Sequence, residues 1–373
     1  LILKPCCIGD VLLATPLVRA LRLSLPQARL TFAVGPWSRP AIASNPRLDA
    51  VLDMGNIGSG RWTLAEYRAL ARRIRDGRFD VCLVLERSVW LALLPALAGV
   101  PLRVGLDSNG RGFPHHRRVP VLPGRHEADL YLDVGRALGV ADAGRELEFF
   151  PTADEYAQAA TALAAAGLVP ERAIALQPGG GSNPGMQLER KRWPPARYAV
   201  LAARAVAAGY QPFLIGGMGD VALAEAVQQH CPNPLPTLVG RLSLGVAGAV
   251  LAQVAGYVGG DTGLTHLAVA VGTPVVALFG PSDPAQYGPI WETSPQLLPR
   301  CHSAPASTET APPGQASPAG AARIRAAVVQ GRVPCGPCFR NGTAPPCGRY
   351  VCMERIEVET VWQELMQLIG GRP

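Results

Sequence analysis

The sequence predicts an α/β protein of two units, each a parallel sheet with helices on both faces. Three observations carry this. Apolar segments of strand length alternate with segments of helical spacing along most of the chain, an order that builds parallel sheets. Several of those strands end in glycine-containing turns that open into a helix, at Gly9-Asp10, Gly179-Gly180-Gly181, Gly216-Gly217 and Gly259-Gly260. Finally, 373 residues, 48% hydrophobic and 17% charged, suffice for two cores and exclude a disordered chain. No apolar run reaches the roughly 18 residues of a membrane span. Because Leu1 is not Met and Leu1-Ile2-Leu3 already reads as a strand, a short stretch is expected to precede it. No signal peptide is visible.

Taken in order, residues 1–3 form the first strand, and Gly9 and Asp10 mark the turn into a helix that runs to Arg22. Open α/β sheets place ligands at such a turn, although Asp10 also reads as a helix cap. Pro16 is expected to kink this helix or to start its regular part. Residues 29–34 and 80–85 read as strands, with a basic helix over 64–75 between them. Residues 103–126 gather Arg103, Arg111, His115, His116, Arg117, Arg118, Arg125 and His126 among glycines and prolines, which predicts a loop region. It reads as a solvated surface or as a seat for an anionic acceptor. The second unit is expected from residue 153, with a helix over 154–166, strands at 172–177, 212–215 and 275–279, and helices at 196–207, 221–230 and 242–252. Residues 301–334 are low in complexity and are expected to be a flexible insertion. The spacing of Val358, Val361, Trp362, Leu365 and Leu368 predicts a closing helix with one buried face.

The most informative stretch is Gly259-Gly260-Asp261-Thr262-Gly263-Leu264-Thr265-His266. Residues 250–258 read as a buried strand entering it, and 264–271 as a helix stopped by Gly272 and Pro274. The turn leaves backbone N–H groups free at a helix N-terminus, where a phosphate is favoured. Thr262 and His266 are one helical turn apart and share a face. Asp261 is either a cap or a site residue, and the turn alone does not separate the two. Several such turns at one sheet edge point to a nucleotide site.

Four segments, in this order and spacing, resemble glycosyltransferase family 9, the lipopolysaccharide heptosyltransferases and their relatives. They are IGDVLLATP from Ile8, QPGGGS from Gln177 with KRWPP from Lys191, GDTGLTH from Gly260, and LFGPSDP from Leu278. The resemblance spans residues 1 to about 290 and implies a GT-B fold, two Rossmann-like domains facing across a cleft. Residues 1–152 would hold the acceptor and 153–355 the nucleotide sugar, with 356–373 the closing helix. It also implies inversion in one displacement, with no metal or other cofactor required for catalysis. By this resemblance Asp10 is the general base and Lys191 sits against the donor diphosphate. Ser182, Asp220, Asp261, Thr262, Gly263 and His266 line the donor site. The implied donor is ADP-heptose, and the acceptor is an anionic lipid-linked or polysaccharide chain made at the cytoplasmic membrane face. A cytoplasmic enzyme with peripheral membrane contact is therefore expected. Two departures, a longer glycine-rich loop before Lys191 and the 301–334 stretch, leave sugar and acceptor open. A transferase or epimerase acting on another nucleotide sugar, and a binding protein with a degenerate site, are the alternatives. Asp10, Lys191, Asp261 and His266 occurring together argue against degeneracy.

The formal charge of +7 suits an acidic partner. Nucleic acid is not expected, because neither a dense Lys/Arg run nor a nucleic-acid fingerprint is present. Cys335, Cys338, Cys347 and Cys352 have the spacing of a structural zinc knuckle, with free thiols or disulfides as the alternatives. Cys6 and Cys7 read as packing residues at a strand end.

Overall fold

The computed structural model describes residues 1–57, 62–183, 186–290, 326–339, 347 and 350–370. Six short, largely apolar runs form the N-terminal sheet: β1 (Ile2–Leu3), β2 (Thr31–Val34), β3 (Ala50–Asp53), β4 (Val81–Val84), β5 (Leu102–Asp107) and β6 (Arg117–Pro120). All pair parallel, in the order β3-β2-β1-β4-β5-β6. β1, β2 and nearly all of β4 are buried, as central parallel strands covered on both faces must be. The covering helices are α1 (Ile8–Leu13), α2 (Thr15–Ser24), α3 (Leu64–Asp76), α4 (Val89–Leu97) and α5 (Glu127–Leu138). Pro16 stands in the first turn of α2, so the helix breaks at Ala14 and restarts, as expected. α3 opens on a capping box in which Glu66 N–H donates to Thr63 Oγ1 at 3.2 Å and Thr63 N–H to Glu66 Oε2 at 2.6 Å.

A second capping box, Thr152 with Glu155, starts α6 (Ala153–Ala165). This unit holds β7 (Ala173–Gln177), a small hairpin of β8 (Ser182–Asn183) and β9 (Met186–Gln187), β10 (Gln211–Leu214), β11 (Gly256–Gly260), β12 (Val275–Phe279) and β13 (Ala326–Gln330). Its five-stranded sheet is also parallel, ordered β10-β7-β11-β12-β13. Around it lie α7 (Pro195–Ala207), α8 (Val221–Gln228), α9 (Leu244–Leu251), α10 (Gly263–Ala270), α11 (Pro284–Tyr287), α12 (Val351–Glu354) and α13 (Val358–Ile369). α13 seats Val361 and Leu365 in the same core as Trp193, Val258 and Val276. The link between the units is pinned to the first: Arg19 donates to Ala143 O and Glu146 O, both at 2.9 Å, and pairs with Glu146 at 2.6 Å.

Three expectations are corrected. The basic stretch 103–126 is not all loop, for it contains β5 and β6. Val104, Leu106 and Val119 reach the core while Arg117 and Arg118 stay exposed, so the charges hide two short strands. Residues 250–258 are not one strand: α9 runs to Leu251, and β11 begins at Gly256 and takes in both glycines. The end of the 301–334 stretch is not insertion, because Ala326–Gln330 pairs along β12 as the sheet's edge. Residues 301–325 lie outside the described residues.

Candidate donor and acceptor site

In each sheet the strand order reverses beside its first strand, at β1/β4 and at β7/β11. A crevice opens at the carboxyl ends there, where α/β proteins bind ligands. Asp10 and Glu86 follow β1 and β4, while Gln177, the Gly179–181 loop and Asp261 follow or end β7 and β11. α1 packs on α10, so the two crevices meet. The approach requires glycine on both sides. A Cβ on Gly9 would stand 2.9 Å from His266 Cδ2, and one on Gly263 3.0 Å from Ile8 Cβ.

On the C-terminal side, Lys191 Nζ lies 2.6 Å from Asp261 Oδ2, their side chains only 12% and 11% exposed. Burial works against the Asp261 carboxylate, but Lys191 outweighs it and holds the group below its usual range. Phe339 lies under the same ammonium, 4.4 Å from ring centre to Nζ. Asp261 is thus an ion-pair partner, and Thr262 is the cap of α10, accepting from Thr265 N–H at 3.4 Å. Thr262 Oγ1 and the Tyr257 hydroxyl both donate to Gln177 Oε1, at 2.9 and 2.8 Å. That network fixes the mouth of the turn. Asp220 accepts from Gly180 N–H at 3.1 Å and from Gly217 N–H at 2.9 Å, tying two glycine loops together. His266 is buried, and desolvation lowers its pKa despite Asp261 and Asp10 nearby, so the ring is neutral at neutral pH. Its Nδ1 has no hydrogen-bond partner among the described residues. Ser182 belongs to β8, and its side chain lies outside the described residues.

On the N-terminal side, Asp10 sits in the first turn of α1 with its side chain 34% exposed, 3.2 Å from Lys4 Nζ. Lys4 also donates to Glu86 Oε1 at 2.6 Å. Arg87 pairs with the buried Glu127. Across the interface, His126 faces the Gly288 carbonyl at 3.0 Å, its pKa pushed down to about 4 by burial. Cys6 and Cys7 are joined to each other rather than packed as separate thiols.

Asp10, Lys191 and Asp261 all lie near enough to His266 to act on its charge, and Thr262 and Gly263 open the helix that carries it; Asp220 braces the glycine loops alongside. Sequence reading missed Lys4, Glu86, Gln177 and Phe339. Lys4 and Glu86 had a signal: a charge directly after an apolar strand, at the edge where ligands bind. Phe339 had none, since it arrives from the distant cysteine segment. Cys335, Cys338, Cys347 and Cys352 line one cavity of about 230 Å³ together with Arg190 and Pro281. Among the described residues, however, no three such side chains are placed to hold a metal ion.

The family model described as glycosyltransferase family 9 (heptosyltransferase) matches residues 67–312. The chain belongs to glycosyltransferase family 9. Among relatives, lipopolysaccharide heptosyltransferase 2 of Escherichia coli K12 is 31% identical over 300 residues, 76% of this chain and 83% of that protein. A family 9 glycosyltransferase structure from Veillonella parvula superposes with a TM-score of 0.78 at 21% identity, covering 100% of this chain and 97% of that one. The E. coli structure titled ADP-heptose LPS heptosyltransferase II gives 0.70 at 23% identity, covering 99% and 97%. The fold is GT-B, as the resemblance implied, and the activity is glycosyl transfer. No helix among the described residues of this family 9 enzyme is long and apolar enough to cross a membrane.

Proposed function

We propose that this glycosyltransferase moves heptose from ADP-heptose to a lipopolysaccharide-type, lipid-linked acceptor, inverting the anomeric centre in one displacement without a catalytic metal. The observation that carries the reading is the meeting of the two sites. α1, which carries Asp10, packs on α10, which follows the Lys191–Asp261 pair, with Gly9 against His266. Asp10 takes the proton from the acceptor hydroxyl as its oxygen attacks the anomeric carbon, and the bond to the ADP oxygen breaks. The leaving diphosphate gains charge, which Lys191 and the amides at the start of α10 offset. Neutral His266 offers a hydrogen-bond partner without adding charge. The names of the E. coli relatives support lipopolysaccharide as the acceptor class and ADP-heptose as the donor. We place this work at the cytoplasmic face of a membrane, where a lipid-linked acceptor would lie.

Calorimetry against ADP, UDP, GDP and ADP-heptose tests the donor, followed by transfer to heptose-deficient lipopolysaccharide. ADP and ADP-heptose are expected to bind selectively, and transfer to yield free ADP. Preference for UDP or GDP keeps the fold and overturns the sugar. Conversion of the donor without an acceptor indicates an epimerase.

A structural zinc on Cys335, Cys338, Cys347 and Cys352 belongs to the same proposal. Binding would draw the four thiols together from the walls of their cavity. Elemental analysis is expected to find about one zinc per chain, lost in the Cys335→Ser/Cys338→Ser variant. Metal-free protein with four titratable thiols would end that part of the reading.

A further inference from the structure

Lys4 follows β1 with its side chain 4% exposed, an ammonium ion inside the N-terminal domain. It faces two carboxylates in different ways. To Glu86 Oε1 it donates a 2.6 Å hydrogen bond, and to Asp10 Oδ2 it stands 3.2 Å away as an ion pair. The Tyr131 ring lies 5.6 Å from the same nitrogen. Burial alone would neutralise the ammonium, but Asp10 and Glu86 outweigh it and hold its pKa well above the usual value.

We propose that Lys4 and Glu86 are positioning residues that set the charge around Asp10. Lys4 supplies the counter-charge, and Glu86 takes its short hydrogen bond, so that the lone pairs of Asp10 stay available to the acceptor hydroxyl. This rests on Asp10 being the base. Every charged or titratable neighbour on the packed elements enters the balance. Glu86 and Arg87 come from the loop after β4, and Glu127 and Tyr131 from α5; His266 comes from α10 and Tyr287 from α11. Burial raises both tyrosines and lowers the histidine, so these three are uncharged near neutral pH. Three carboxylates are left to share two cations. Asp10 therefore feels any change in how Lys4 divides its charge.

The two neighbours must act with opposite sign. Lys4→Met leaves Asp10 among carboxylates and is expected to move the acid limb of the kcat/KM profile up by about 1–2 pH units. Glu86→Gln leaves Lys4 to Asp10 alone and is expected to move the limb down by roughly half a unit to one unit. The profiles are recorded with ADP-heptose and heptose-deficient lipopolysaccharide, beside Asp10→Asn. Opposite shifts support the proposal; shifts of one sign, or none, overturn it while Asp10→Asn remains inactive. If Asp10→Asn keeps wild-type activity, the base assignment itself has failed. ADP binding reports folding. Should Lys4→Met lose it, Glu86→Gln decides alone, a downward shift supporting the proposal and an unmoved or raised limb overturning it.

Discussion

Asp10→Asn is expected to lower kcat by about 10²- to 10⁴-fold, the usual contribution of a positioned general base. The substitution keeps the shape of the side chain and removes its capacity to accept a proton. The fold should tolerate it, because Lys4 retains its hydrogen bond to Glu86. The donor-side hydrogen bonds of Gln177, Thr262, Asp220 and Lys191 do not involve Asp10, and losing its charge lowers the pKa of His266 further and keeps that ring neutral, so the KM for ADP-heptose should stay within about two-fold, the pattern of a group that acts only in the transition state. Steady-state kinetics with both substrates varied checks this. An unchanged kcat would remove Asp10 from the mechanism. A raised donor KM with normal kcat would make it a binding residue.

Lys191→Met should act on both donor affinity and stability. Removing the ammonium takes a charged partner from the diphosphate, expected to weaken ADP-heptose binding by roughly 10- to 100-fold. It also strands the Asp261 carboxylate, which is 11% exposed and has Lys191 as its ion-pair partner. Breaking such a pair by removing one member costs about 3–5 kcal/mol. Lys191→Met/Asp261→Asn, which removes both charges, should recover most of the stability and none of the affinity. The sign of the pH dependence follows from the depressed pKa of Asp261. The contribution of the pair is present above the carboxylate's unfolded value and is lost as pH falls through the folded one. The stability gap between wild type and the single variant therefore narrows in acid. Urea denaturation at several pH values, with ADP titrations alongside, measures both effects. Equal stability of the single and double variants would show that Asp261 does not depend on Lys191.

Much of this was legible in the chain because its elements are short and sharply punctuated. A buried parallel strand reads as an apolar run, a glycine turn follows it, and a helix with proline or a capping box begins. Pro16, Thr152 and Gly263 each fall where those rules put them. Legibility failed where one residue had two jobs. β5 and β6 carry Arg103, Arg117 and Arg118, which masked the buried Val104, Leu106 and Val119 beside them. β11 ends in glycines that a strand pattern disfavours, yet Gly259 must lack a side chain, since a Cβ there would stand 2.6 Å from Tyr257 Cζ. Within the site, the turn residues were readable because local backbone geometry selects them. Asp261 was left open between cap and site because only the tertiary partner Lys191 decides it. Phe339 under Lys191, and Glu86 on Lys4, are contacts between segments far apart in sequence that no local window contains.

Among the described residues the chain passes from the first sheet to the second only once, between α5 and α6, and α13 returns to the second core rather than the first. That economy has an evolutionary consequence. On the proposed division of roles, one recombination event in that linker would join an existing donor half to a new acceptor half. What such an exchange must conserve includes the contacts of Gly9 with His266, of Gly263 with Ile8 and of His126 with the Gly288 carbonyl. Inheritance can thus diversify the acceptor while leaving the nucleotide-sugar chemistry intact, provided those few atoms still fit.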